Sequence, residues 1–232
     1  MIRFFRHIRK QLMEQNKIRT YILYVIGEIL LVVIGILIAL QINNWTETQK
    51  NNVREQIHLF NLRIDLQADS SGLARLNADL QQALYAKIKF EESVEFQNFG
   101  SDSLVKYFKD QYFILTDFIP NSTTIDELKN SSGLNLISNS KLRRQIVSLY
   151  NTYEDLKMKL RMGTEKTQLI LRYSSDKMDD INNPTDNEIS DLLRDSFFIN
   201  QTRINYLGTQ ALAINEAYKL NREVLQLISK EI

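Results

Sequence analysis

Chemistry needs side chains that can bind a metal, move a proton or attack a bond, and these 232 residues carry few of them. There is no Cys, and the only histidines are His7 and His58. That removes thiolate sites, cysteine nucleophiles and nearly every zinc or histidine-triad arrangement. Neither H-E-x-x-H nor G-x-S-x-G occurs, and no Gly-rich run precedes a helix to cradle a phosphate. The most oxygen-rich stretch is Asp176-Lys-Met-Asp179-Asp180-Ile-Asn182-Asn183-Pro184-Thr185-Asp186. Aligned as a calcium loop from Asp180, it puts Thr185 at the glycine position and Asp191 where a bidentate Glu belongs. A solvated turn between helices is the better reading. Glu91-Glu92 and Asp179-Asp180 are adjacent acids, which on a helix point about 100° apart and form no dyad. The tyrosines (Tyr107, Tyr112, Tyr150, Tyr153, Tyr173, Tyr206, Tyr218) are expected as core residues with their hydroxyls at the surface. No catalytic, cofactor-binding or metal-binding residue is assigned, no cofactor is implied, and no enzyme is expected.

One acid has unusual surroundings. Glu28 is the only charge between Tyr21 and Ile42, where the chain reads YILYVIGEILLVVIGILIALQI. As a helix this stretch would be about 33 Å long, enough for a hydrocarbon core of roughly 30 Å. Fifteen of its residues are Ile, Leu or Val. Their insertion is worth on the order of −4 to −9 kcal/mol, against roughly +3 for one acid. Glu28, Val32, Gly35 and Ala39 follow steps of 4, 3 and 4 and so share one side of the helix. That side joins an intramembrane acid to a small-xxx-small pair, the pattern of a helix–helix seam. The alternative is that Glu28 snorkels to the headgroups or pairs with a nearby Arg. Tyr21, Tyr24 and Trp45 stand near the two ends, where interfacial anchors are expected.

Charge orients the span. Arg3, Arg6, Arg9, Lys10, Lys17 and Arg19 face only Glu14 in residues 1–20, a net +5; the remaining 23 bases and 27 acids give −4. The positive-inside rule places residues 1–20 in the cytoplasm, residues 21–44 across the membrane and residues 45–232 outside. A cleaved signal peptide is disfavoured by the length of the apolar run and by an exit, Ile-Ala-Leu-Gln, that is not an A-x-A site. Phe5, Ile8 and Leu12 on one face make the basic start an interfacial amphipathic helix against an anionic leaflet, so no nucleic-acid partner is needed.

The elements behind these residues read as all-α. Seven Gly and two Pro in the whole chain are too few for a turn-rich β fold. Helices are expected at 46–97, 102–113, 125–132, 141–180, 186–196 and 199–230, arranged as an elongated antiparallel bundle after the transmembrane helix. Leu142, Ile146, Leu149, Tyr153, Leu156 and Leu160 form one apolar stripe. Ile204, Leu207, Ala211, Ile214, Tyr218, Leu225 and Ile228 form another, with Asn221 its one polar member. The first long helix has two stripes: Val53, Ile57, Phe60, Ile64, and Leu59, Leu62, Leu66, Leu73, Leu76, Leu80. Two stripes predict two neighbours. Capping boxes are expected at Thr124–Glu127 and Thr185–Glu188, a cap at Ser140, a left-handed stop at Gly133, and a weak point at Asp69-Ser-Ser-Gly72. Asn43-Asn44-Trp45-Thr46 has no breaker, so the span is expected to run directly into the bundle.

Three segments carry a family likeness: MIRFFRHIRKQL, the string Gly27-Glu28 through Val32-Val33-Ile34-Gly35-Ile36-Leu37-Ile38-Ala39-Leu40-Gln41-Ile42-Asn43-Asn44-Trp45, and Glu127-Leu-Lys-Asn-Ser-Ser-Gly133-Leu-Asn-Leu-Ile137. Together they resemble an uncharacterised family, a domain of unknown function, of single-span membrane proteins abundant in Bacteroidota. The resemblance implies an inner-membrane protein of a Gram-negative cell with a helical periplasmic part, and implies no reaction. Asp102-Ser103-Leu104 resembles the O-glycosylation acceptor of that phylum at Ser103, although a helix cap accounts for the same residues. The expected partners are the lipid bilayer and either further copies of the chain or another envelope protein. The expected role is a structural or adaptor one. A sensor, or an accessory subunit of a transport or proton-driven complex using Glu28, is the alternative.

Overall fold

The computed structural model describes residues 18–95, 103–113, 117–131, 133–204 and 206–232. Among them the regular elements are all helical: α1 (Ile18–Glu95), α2 (Ser103–Tyr112), α3 (Thr123–Asn130), α4 (Ser140–Ser175), α5 (Asp186–Leu192), α6 (Ser196–Thr202), α7 (Tyr206–Glu231) and a 3₁₀ turn at Gly133–Leu136. The basic start with Phe5, His7, Ile8 and Leu12 lies outside the described residues. The chain divides into two compact units, with the boundary between Arg54 and Glu55.

In the first unit the part of α1 up to Ile42 is apolar on every side. From Ile26 to Ile42 every Ile, Leu and Val is exposed, between 44% at Val33 and 70% at Leu31. Asn43-Asn44-Trp45-Thr46 is helical throughout, as the absence of a breaker predicts.

The second unit is a bundle. Leu59, Leu62, Leu66, Leu73, Leu76 and Leu80 of α1 meet the α4 stripe from Leu142 to Leu160 and the inner face of α7 in one buried cluster. Each such side chain is worth roughly 1.5–3 kcal/mol when withdrawn from water. Polar contacts fix the directions. On α1, Gln56 Nε2 reaches the Glu231 carbonyl at 2.9 Å and the Leu66 carbonyl accepts from Asn221 Nδ2 at 3.0 Å, so α7 runs antiparallel to α1. Asn139 Nδ2 on Glu231 Oε1 (2.6 Å) and Gln210 Nε2 on the Leu160 carbonyl (3.3 Å) make α7 antiparallel to α4 as well. The described residues between 103 and 139 lie alongside α1. Phe108 lies by Phe90, the Asn121 N–H donates to Asp69 and the Ser138 N–H donates to Glu55. A second, aromatic cluster (Phe90, Phe108, Tyr112, Phe198) closes one end of this unit.

Several boundaries differ from the sequence reading. α4 stops at Ser175 rather than 180: the Lys177 N–H tightens onto the Ser174 carbonyl (3.0 Å), and beyond it the Asp179 N–H turns to Glu188 Oε1 (2.7 Å). The expected helices 186–196 and 199–230 become three. Asp195 accepts from the Phe198 N–H and starts α6 afresh, and buried Lys87 takes the Thr202 carbonyl at 2.8 Å where α6 ends. Asn139, not Ser140, caps α4, accepting from the Lys141 and Leu142 N–H groups. The capping box at Thr124–Glu127 does not form, since α3 begins at Thr123, Ser122 makes no side-chain cap, and Asp65 of α1 receives the Thr124 N–H at 3.4 Å. The box at Thr185–Glu188 is complete.

Gly133 opens the 3₁₀ turn and has no left-handed backbone; a Cβ there would instead crowd Leu128 Cδ2 at 3.0 Å. Asp69-Ser-Ser-Gly72 does not interrupt α1. The Asp69 carboxylate turns away to Asn121, and Ser71 donates back to the Gln67 carbonyl. On α7 the buried stripe is Leu207, Gln210, Ile214, Ala217, Asn221, Val224 and Ile228, rotated from the expected one, so that Ala211, Tyr218 and Leu225 sit at its edge. Ile204 is exposed.

Candidate functional site

The membrane-type stretch supplies the first candidate. One 18-residue window of α1 reaches a mean hydropathy of 2.8, with none of it buried, so this helix is long and apolar enough to cross a membrane. Glu28, Val32, Gly35 and Ala39 all lie on it in helical conformation, which puts them on the shared side that their spacing requires. That side is open. A Cβ added at Gly35 meets nothing within 4 Å, Val32 and Ala39 are exposed, and Glu28 is half-exposed. Of the expected interfacial anchors, Trp45 is exposed and Tyr24 half-exposed; Tyr21 is helical, its side chain lying outside the described residues. Ser103 is the first residue of α2, but its side chain and Asp102 also lie outside that description.

The apolar stripes of α1 in the second unit have different fates. Leu59 to Leu80 are buried, whereas Ile57, Phe60 and Ile64 remain about half exposed. α1 thus has two neighbours, α4 and α7, but both lie on the leucine stripe, and among the described residues no element covers the other one. The Arg63 guanidinium, 5.0 Å from the Phe60 ring, is a polar cover for part of that face.

Inside the bundle sit polar groups, of which the sequence periodicity had marked only Asn221. Asn221 is fully buried, and its Nδ2 donates both to the Leu66 carbonyl and to the Tyr153 hydroxyl, at 3.0 and 2.7 Å. Tyr150 donates to the Asn121 carbonyl at 3.0 Å, and the Tyr206 hydroxyl lies 3.3 Å from Thr167 Oγ1. Burial pushes the phenols of Tyr112, Tyr150 and Tyr153 well above their ordinary range. These hydroxyls point into the protein rather than to its surface, contrary to expectation, because neighbouring helices and the loop at Asn121 offer partners there. Tyr112 is the exception: its buried hydroxyl has no partner among the described residues.

Asp69 is the most unusual carboxylate. It is 2% exposed, and its Oδ1 accepts from both the Asn121 N–H (2.9 Å) and Asn121 Nδ2 (2.7 Å). Burial raises its pKa above the usual carboxylate range, opposed by those two bonds. In sequence it was visible only as a polar interruption of a leucine stripe.

The oxygen-rich turn is held by its own polar groups. Asp180 accepts from the Asn182 N–H and Asn183 Nδ2, and Glu188 from the Asp179 and Thr185 N–H groups and the Thr185 hydroxyl. These bonds hold both carboxyls below their ordinary pKa. Among the described residues no three His, Cys, Asp or Glu side chains converge in a metal-like group.

No curated protein and no solved structure matches the chain. Residues 28–209 match a family described as a family of unknown function, DUF6090, from Glu28 in the apolar stretch into α7. A match of that extent, over well more than half of the residues, meets the resemblance read from the span and the Glu127–Ile137 segment: the chain belongs to the DUF6090 family.

Proposed function

We propose that this protein is a membrane-anchored, oligomeric structural or adaptor protein of the cell envelope. In this reading α1 crosses the inner membrane once with residues 1–20 in the cytoplasm, and the helical bundle stands in the periplasm, where it engages a protein partner. The observation that carries it is the stretch from Ile26 to Ile42, whose aliphatic side chains are all exposed. Left in water they would cost far more than the one acid costs in lipid. The open side with Gly35 and Ala39 supports association within the membrane, since small residues let helices approach closely. The half-exposed Ile57, Phe60 and Ile64 support a protein contact outside it.

Protease added to spheroplasts tests the orientation: residues after Trp45 should be digested and the start of the chain protected. Purification in gentle detergent, with mass spectrometry of co-purifying chains, tests the adaptor role. Cross-linking then tests the seam, because Glu28→Gln and Gly35→Leu should each weaken self-association. Normal assembly of Glu28→Gln combined with loss of an ion-driven phenotype would favour the proton-driven alternative instead.

A further inference from the structure

Beside Asp69 the surface opens into a cleft of about 470 Å³, within the range of small-molecule sites. Asp69, Gly72, Leu76 and Asp79 line it from one face of α1 at steps of 3, 4 and 3. The loop 117–121 lines the other side with Asp117 and Phe118. Three carboxylates face one guanidinium, that of Arg75, so the cleft carries an excess of negative charge that disfavours an anion.

The floor is incomplete. Asn121 uses only Oδ1 of Asp69; Oδ2 is buried with no hydrogen-bond partner among the described residues. A buried carboxylate oxygen without a donor is costly and calls for a proton or a cation. A bare metal ion is a poor occupant, because among the described residues these acids do not converge as ligands. Asp69 and Asp79, ten residues apart on one helix, stand about 15 Å apart along its axis. That is too far for one ion to bridge; an organic cation with an aliphatic chain suits the cleft better, its ammonium toward the carboxylates and its chain on Leu76 and Phe118.

We propose that this cleft binds an aliphatic ammonium compound, with one ammonium donating to Asp69 Oδ2 and the charge further balanced by Asp79 and Asp117. The ammonium comes either from a free diamine or from a lysine side chain of a protein.

The test is calorimetric titration of the full chain in non-ionic detergent with 1,5-diaminopentane, and separately with a short acetylated, amidated Ala-Lys-Ala peptide. Saturable binding is expected, weakened on the order of tenfold or more by Asp79→Asn, which removes a charge, and by Gly72→Leu, which fills the cleft. Asp155→Asn, at a half-exposed acid on α4 outside this cleft, should leave it unchanged. Asp69→Asn should weaken it further, but the two surface variants carry the test if that buried change disturbs folding. Binding of the diamine identifies a free amine as the source, and binding of the peptide alone identifies a protein lysine. No binding of either, or binding indifferent to Asp79→Asn and Gly72→Leu, overturns the proposal.

Discussion

Two stretches of the same helix, Ile26–Ile42 and Leu59–Leu80, both carry many large aliphatic residues, yet the structure treats them oppositely. In the first, apolar residues cover every side and all are exposed; in the second, the leucines recur at steps of three, four and seven and are buried to 4% exposure or less. The difference lies in spacing rather than in hydrophobicity. A helix apolar on all sides cannot be covered by one or two neighbours in a chain of this length, so it suits an apolar solvent. A stripe leaves room for polar residues on the outer face and needs protein on the inner one.

Charge placed in the first stretch should have the largest effect. Placing Arg at both Ile34 and Leu37 should cost about 5–7 kcal/mol of insertion. The chain should then leave carbonate-washed membranes while the melting of the bundle stays unchanged. A melt that shifts equally would mean the stretch is part of the folded core. Leu66→Ala or Leu149→Ala should do the converse. Each empties a fully buried site, at ~2–5 kcal/mol, lowering the thermal midpoint without changing membrane association.

Smaller effects sharpen the picture of the buried stripe. Asn221→Ala removes the donor shared by Leu66 and Tyr153 and should destabilise by about 1–3 kcal/mol in denaturant titration. Thr185→Ala should cost about 1 kcal/mol through the lost cap. It should also let the Glu188 carboxyl titrate closer to its ordinary value by NMR, since the Thr185 hydroxyl helps hold it down.

The smallest change is pH-dependent. Because burial raises the Asp69 pKa, the folded chain keeps a proton that the unfolded chain has released. The resulting stability is fully present below the unfolded value of 3.8 and is lost as pH rises through the raised folded value. Asp69→Asn should remove that decline. Equal pH slopes for the two proteins would show that Asp69 is solvated.

Residue pattern alone decided a good deal. The apolar run with its single acid, the all-helical class, the α4 stripe and the Thr185–Glu188 box all follow from local spacing, because a 3.6-residue period and a cap are properties of neighbours in sequence. The tertiary structure decided what depends on partners distant along the chain. Asp65 receives the Thr124 N–H where a local capping box was expected, and Lys87 takes the carbonyl at the end of α6. Gln210 enters the core because Gly163 on α4 has no Cβ to overlap its amide. Ile57, Phe60 and Ile64 have the period of a buried stripe and are nonetheless exposed. Periodicity says that a face is apolar; only the packed chain says whether a neighbour covers it.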